Sequence, residues 1–153
     1  MLSILKKDFK KPIEDFYNIT EGNVIFSGSL SLKLLGIIDR EINDFDLNIT
    51  LDNWIKYKTK LDPIFKFYPG VRLNYGWFVV DTYTCFTNTN KQFHVFVDII
   101  GQEYMEIYIE GIKCKLLNPE LVLKHKDIIL KEESYLTKHV SDIKLIKNYL
   151  NEK

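Results

Sequence analysis

Phe26 to Asn48 reads FSGSLSLKLLGIIDREINDFDLN: an apolar strand ending at Gly28-Ser29, a short apolar run, and then two aspartates one residue apart. On a strand, alternate side chains share a face, so Asp44 and Asp46 point together while Phe45 and Leu47 point the opposite way. Like charges set side by side repel. A divalent cation bound by both carboxylates and shared with phosphate oxygens gives such a pair a reason to exist.

Outward from this stretch, NVIFS (23–27) reads as a short strand, and the leucines after Gly28-Ser29 read as a short buried helix over 30–37 that Gly36 helps to end. The second strand is expected over 44–51. Gly28-Ser29 is either a plain turn with a helix cap or a set of N–H groups and a hydroxyl suited to phosphate. Upstream, Pro12 is expected in the first turn of an opening helix that runs to about Tyr17. Downstream, Asp52 is the expected cap of a helix stopped by Asp62-Pro63.

Pro69-Gly70 marks a turn. Strands are expected over 71–75, 77–86 and 93–100, the last two joined by Asn88-Thr89-Asn90. A pair over 104–109 and 112–116 turns at Glu110-Gly111. Asn118-Pro119 opens the first of two closing helices, over 119–131 and 134–150. The element order predicts an α/β or α+β fold with a mixed sheet flanked by helices.

Length and composition agree with this pattern. The chain has 153 residues, 46% of them hydrophobic, with ten Phe, nine Tyr and two Trp, enough for one core and one domain. That domain divides into a core over about 20–117 and a helical pair over about 118–151. No apolar stretch approaches the ~20 residues of a membrane span, and the first residues lack a signal peptide's apolar region, so a cytoplasmic protein without a membrane partner is expected. Lys+Arg and Asp+Glu balance at 21 each, which removes any global field for nucleic acid. Lysines do cluster locally, near the start and in the last third, where they read as solvated helix faces.

Among the remaining polar residues, Asp98 closes the apolar run FHVFVDII (93–100), so it must pair, reach solvent or bind metal. Arg40 is positioned to pair with Asp44 or Glu41. Asp142 is placed to pair with a helix lysine or to touch a substrate. His94, His125 and His139 have no metal-ligand spacing and read as core or surface residues. Cys85 and Cys114 read as buried free thiols. Tyr75, Trp77, Phe78, Tyr83 and Phe86 read as core and sheet surface rather than a base-stacking platform.

Phe26, Gly28, Ser29, Asp44, Phe45, Asp46, Leu47 and Asp98 together resemble the pattern of the nucleotidyltransferase superfamily, the fold of DNA polymerase β and of small bacterial and phage transferases. Arg40 four residues before Asp44, and NPELVLKHKDIIL followed by KHVSDIKLI, are similar to the AbiEii-type group. The resemblance implies a nucleotidyltransferase-like mixed sheet with two C-terminal helices. It implies Mg2+ or Mn2+ held by Asp44, Asp46 and Asp98 as the catalytic acids, with a nucleoside triphosphate such as ATP as substrate. Gly28 and Ser29 would hold its phosphates, and Arg40 and Lys126, or Lys124 in place of Lys126, would offset their charge. The acceptor would be an RNA such as tRNA, a protein or a small molecule, and the group's toxin–antitoxin context implies an antitoxin-like partner. A catalytically degenerate copy used as a binding module is the alternative.

Overall fold

The computed structural model describes residues 3–132 and 137–152. Helix α1 (Lys7–Ile19) leads into β1 (Ile25–Ser27), α2 (Gly28–Leu34), β2 (Asp46–Thr50) and α3 (Leu51–Leu61). Then come β3 (Tyr68–Asn74), β4 (Val79–Phe86), β5 (Gln92–Asp98), β6 (Tyr104–Ile109), β7 (Ile112–Leu117), α4 (Pro119–Glu132) and α5 (Thr137–Asn151). The seven strands form one mixed sheet in the order β3-β4-β5-β2-β1-β7-β6. Strand β1 runs antiparallel to β2 and parallel to β7, and β2 runs parallel to β5.

One face of the sheet is closed by α1 and α3. Phe9, Ile13 and Phe16 recur at helical spacing on α1 and are fully buried. Phe9 meets Phe45 edge-on at 5.1 Å, and Phe45 stacks on Phe93 at 4.6 Å, so the inward residue between the two aspartates ties the segment entering β2 to both α1 and β5. On α3, Trp54, Tyr57 and Leu61 are buried, and Trp54 packs against Tyr83 of β4. Each such side chain contributes about 1.5–3 kcal/mol by leaving water. The opposite face carries His94 and Phe96, and Phe78 bridges Phe96 to His125 of α4.

Several boundaries correct the sequence-based expectations. Pro12 lies inside α1 rather than in its first turn. It costs the intrahelical bond to the Asp8 carbonyl, and burial of the phenylalanines and isoleucine on either side outweighs that loss. Thr50, not Asp52, caps α3, its Oγ1 accepting from the Asn53 N–H at 3.3 Å. Pro69 and Gly70 lie within β3 instead of at a turn, because the strand shifts register between Pro69 and Arg72. Gly70 is required there, since a Cβ would collide with Thr82 Oγ1. Strand β2 starts at Asp46, leaving Asp44 in the bend before it. Helix α2 begins directly at Gly28. The expected start of the last helix at Ser134 lies outside the described residues.

Candidate functional site

Strand β1 ends at Ser27, whose hydroxyl donates to Asn48 Oδ1 of β2 at 2.7 Å. The chain turns immediately into α2 through Gly28, at φ +56°. Two requirements fall on this one glycine. The left-handed backbone disfavours any side chain, and a Cβ would stand 2.5 Å from Asp46 Oδ2. The register explains the proximity, because Ser27 is paired with Asp46 across the β1–β2 ladder.

Ser29 is the meeting point of two distant cations. Its Oγ accepts from Arg40 Nη2 at 3.1 Å and from Lys126 Nζ at 3.3 Å. These two donors occupy the hydroxyl's lone pairs and leave its own proton for another acceptor. Asp142 of α5 holds both cations in place. Arg40 grips it with two bonds, Nε to Oδ1 at 3.2 Å and Nη2 to Oδ2 at 2.6 Å, and Lys126 Nζ lies 3.1 Å from Oδ2. The expectation that Arg40 pairs with Asp44 or Glu41 is thereby corrected. Its carboxylate partner comes from a helix 102 positions along the chain, which local spacing does not reveal.

The side chains of Lys126 and Asp142 are almost wholly buried, at 5% and 1% exposure. Burial pushes the Asp142 carboxyl upward, but the Arg40 hydrogen bond and the Lys126 charge bring it below its ordinary range. Burial also depresses Lys126, with the Asp142 attraction opposing and the Arg40 charge adding to the depression. His139 Nδ1 lies 3.4 Å from Lys126 Nζ, a neighbour that the sequence did not single out. Of the two candidate lysines, Lys126 is the one turned inward. Lys124 lies over the Trp77 ring at 4.3 Å.

Burial alternates along the aspartate pair. Phe45 and Leu47 are buried at 1% and 0% exposure, while Asp44 and Asp46 are half-buried. Asp46 is level with His94 on β5, and His94 Nδ1 lies 3.4 Å from Asp46 Oδ1. The hydrogen bond to Asp46 raises the His94 imidazole above its ordinary value, against an opposing contribution from burial. His94 Nε2 is 2.9 Å from the Gln92 amide.

Asp98 does not join Asp44 and Asp46. It is level with Thr50, four residues beyond His94, or about 13 Å along the strand at ~3.3 Å per residue. Its Oδ1 accepts from the N–H groups of Ile100 and Gly101 at 3.1 and 2.9 Å, so the carboxylate caps the turn that leaves β5. Its Oδ2 is buried and without a partner among the described residues. The residue of β5 level with Asp46 is His94. Alternation along FHVFVD puts His94 and Asp98 on one face, but only the β2–β5 register decides which of them is level with Asp46.

The donor set of Asp44 and Asp46 fits a hard divalent cation, and the bare Gly28 backbone keeps Asp46 Oδ2 unobstructed by a side chain. Among the described residues, no three His, Cys, Asp or Glu side chains are placed together so that they could hold a metal ion. No helix among them is long and apolar enough to cross a membrane.

No protein-family model and no curated protein matches the chain. Solved structures do. A Thermotoga maritima protein assigned as a nucleotidyltransferase superposes with a TM-score of 0.61 at 13% identity, covering 97% of this chain and 96% of that one. The lincosamide antibiotic adenylyltransferase LnuA, solved with lincomycin bound, gives 0.61 at 13% identity over 94% and 97% of the two chains. The antibiotic-resistance factor ANT(2'')-Ia gives 0.64 at 13% identity over 92% and 85%. The mixed sheet, the flanking helices and the closing helical pair of this chain therefore form a nucleotidyltransferase-like fold.

Proposed function

We propose that this protein moves a nucleoside monophosphate from a nucleoside triphosphate to an acceptor hydroxyl, the oxygen of which loses its proton and bonds the α-phosphorus as the bond to pyrophosphate breaks and pyrophosphate leaves. The observation that carries the reading is Ser29, fixed by Arg40 and Lys126 in the first turn of α2 and next to the glycine that faces Asp46. A triphosphate laid along this corner accepts a hydrogen bond from the Ser29 hydroxyl and meets the charges of Arg40 and Lys126. Asp142 keeps both cations in fixed positions, so little reorganisation is needed when the phosphates arrive. A divalent cation held by Asp44 and Asp46 would neutralise phosphate charge and favour ionisation of the acceptor hydroxyl. The acceptor belongs among small molecules, proteins or RNA. LnuA, which spans almost the same length, supports a small molecule.

Purified protein incubated with Mg2+ or Mn2+, α-labelled triphosphates and a cell extract is expected to transfer label, and Asp46→Asn is expected to abolish the transfer. Transfer that persists at the wild-type rate in Asp46→Asn would remove Asp46 from the chemistry.

A second reading draws on the position of Asp98. With the third acid displaced along β5, the same site serves a nucleotide-binding module that performs no transfer. Titration with a non-hydrolysable triphosphate separates the two: binding with no labelled product in any extract supports the module, and labelled product rules it out.

A further inference from the structure

The Lys126 ammonium carries three protons and no lone pair, and its burial makes any proton without an acceptor costly. Among the described residues three acceptors surround it. Ser29 Oγ lies at 3.3 Å, Asp142 Oδ2 at 3.1 Å and His139 Nδ1 at 3.4 Å. At both oxygens Lys126 has a competitor, because Arg40 Nη2 donates to the same Ser29 Oγ at 3.1 Å and to the same Asp142 Oδ2 at 2.6 Å. The imidazole nitrogen supplies the third direction.

Helical spacing puts that nitrogen in place. His139 and Asp142 are three residues apart on α5 and share its inward face, both buried, while Val140 and Ser141 between them are exposed. An imidazole nitrogen accepts from an ammonium only if it carries no proton of its own. The neutral ring with its proton on Nε2 meets this condition. The other neutral tautomer and the imidazolium both turn an N–H toward the Lys126 charge.

We propose that His139 is a positioning residue for the triphosphate corner: its neutral ring, protonated on Nε2, takes the third proton of Lys126 and fixes the ammonium against Ser29. Lys126 is then a stationary charge whose protons are all held by the protein. It acts on phosphates through its field and through the Ser29 hydroxyl rather than by swinging onto them. The acceptor bond also favours the charged form of Lys126 against the burial that opposes it. The inference rests on the proposed function only in taking a triphosphate as the ligand at Ser29.

Nitrogen-15 NMR of the labelled full chain reads both partners without any assay of activity. The imidazole resonances that vanish in His139→Asn are expected to show an unprotonated Nδ1 and a protonated Nε2, and the Lys126 Nζ protons to exchange slowly enough to be seen. His139→Leu, which offers no acceptor, is expected to lose the Lys126 resonance and to bind a non-hydrolysable triphosphate about tenfold more weakly. His139→Asn, which offers an amide oxygen close to the place of Nδ1, is expected to keep that resonance and to bind within about twofold of the wild type. A protonated Nδ1 in the wild type, with triphosphate binding intact, overturns the role of His139 alone. Equal weakening in the Leu and Asn variants, the mark of a packing role only, overturns it as well, and so does binding in His139→Leu as tight as in the wild type or tighter. Failure of the wild-type chain to bind the triphosphate overturns it together with the proposed function, whichever tautomer is found.

Discussion

Gly28 and Asp142 show how single residues carry this site. At Gly28 a methyl group meets a left-handed backbone and a carboxylate oxygen at once. Gly28→Ala is expected to cost about 1–3 kcal/mol in denaturant unfolding and to weaken triphosphate binding by moving Asp46. Asp142 compensates two cations, one of them nearly wholly buried, and Asp142→Ala leaves both without their carboxylate. The expected loss is about 3–5 kcal/mol, the scale for breaking a buried pair from one side. The pH dependence follows from the direction of the shift. The folded carboxyl is depressed below its ordinary 3.8, so its contribution is complete above that value and is lost as pH falls through the lower folded value. Acid titration of stability in the wild type should therefore show a decline below about pH 4 that is smaller in Asp142→Asn.

Among elements, the decisive relation is the pairing of β2 with β5. Residue types and turn signals along the chain place most strands within a few residues, and β6 over its whole length, because alternation and turn chemistry are local. The register between two strands separated by α3, β3 and β4 is not local, and it sets His94 rather than Asp98 beside Asp46. Asp98→Asn keeps an oxygen for the turn N–H groups and is expected to bind a non-hydrolysable triphosphate as the wild type does, whereas Asp46→Asn loses binding. Calorimetric titration of both variants makes the comparison. Equal loss in the two would place Asp98 in the site despite its separation along the strand.

For the whole molecule, the core that holds the sheet also hides its thiols. Burial pushes Cys85 up to about 12 and Cys114 to about 11, so neither presents a thiolate near neutrality. Alkylation by iodoacetamide at pH 8 is expected to be negligible in the native protein and complete in denaturant. Fast native labelling would show that the face closed by α1 and α3, or the β6–β7 edge, opens without global unfolding.

The aspartate pair, the alternation of burial along it, the glycine-serine turn and the buried cysteines were all legible in the chain, because alternation on a strand, turn chemistry and hydrophobic context act over a few residues. The partners of those residues were not. Asp142 reaches Arg40 across 102 positions, Lys126 rather than Lys124 turns inward, and His94 arrives beside Asp46 through the register of a parallel pair. Such contacts depend on how helices and strands distant in sequence pack against one another, and only the folded sheet with α4 and α5 laid beside it decides them.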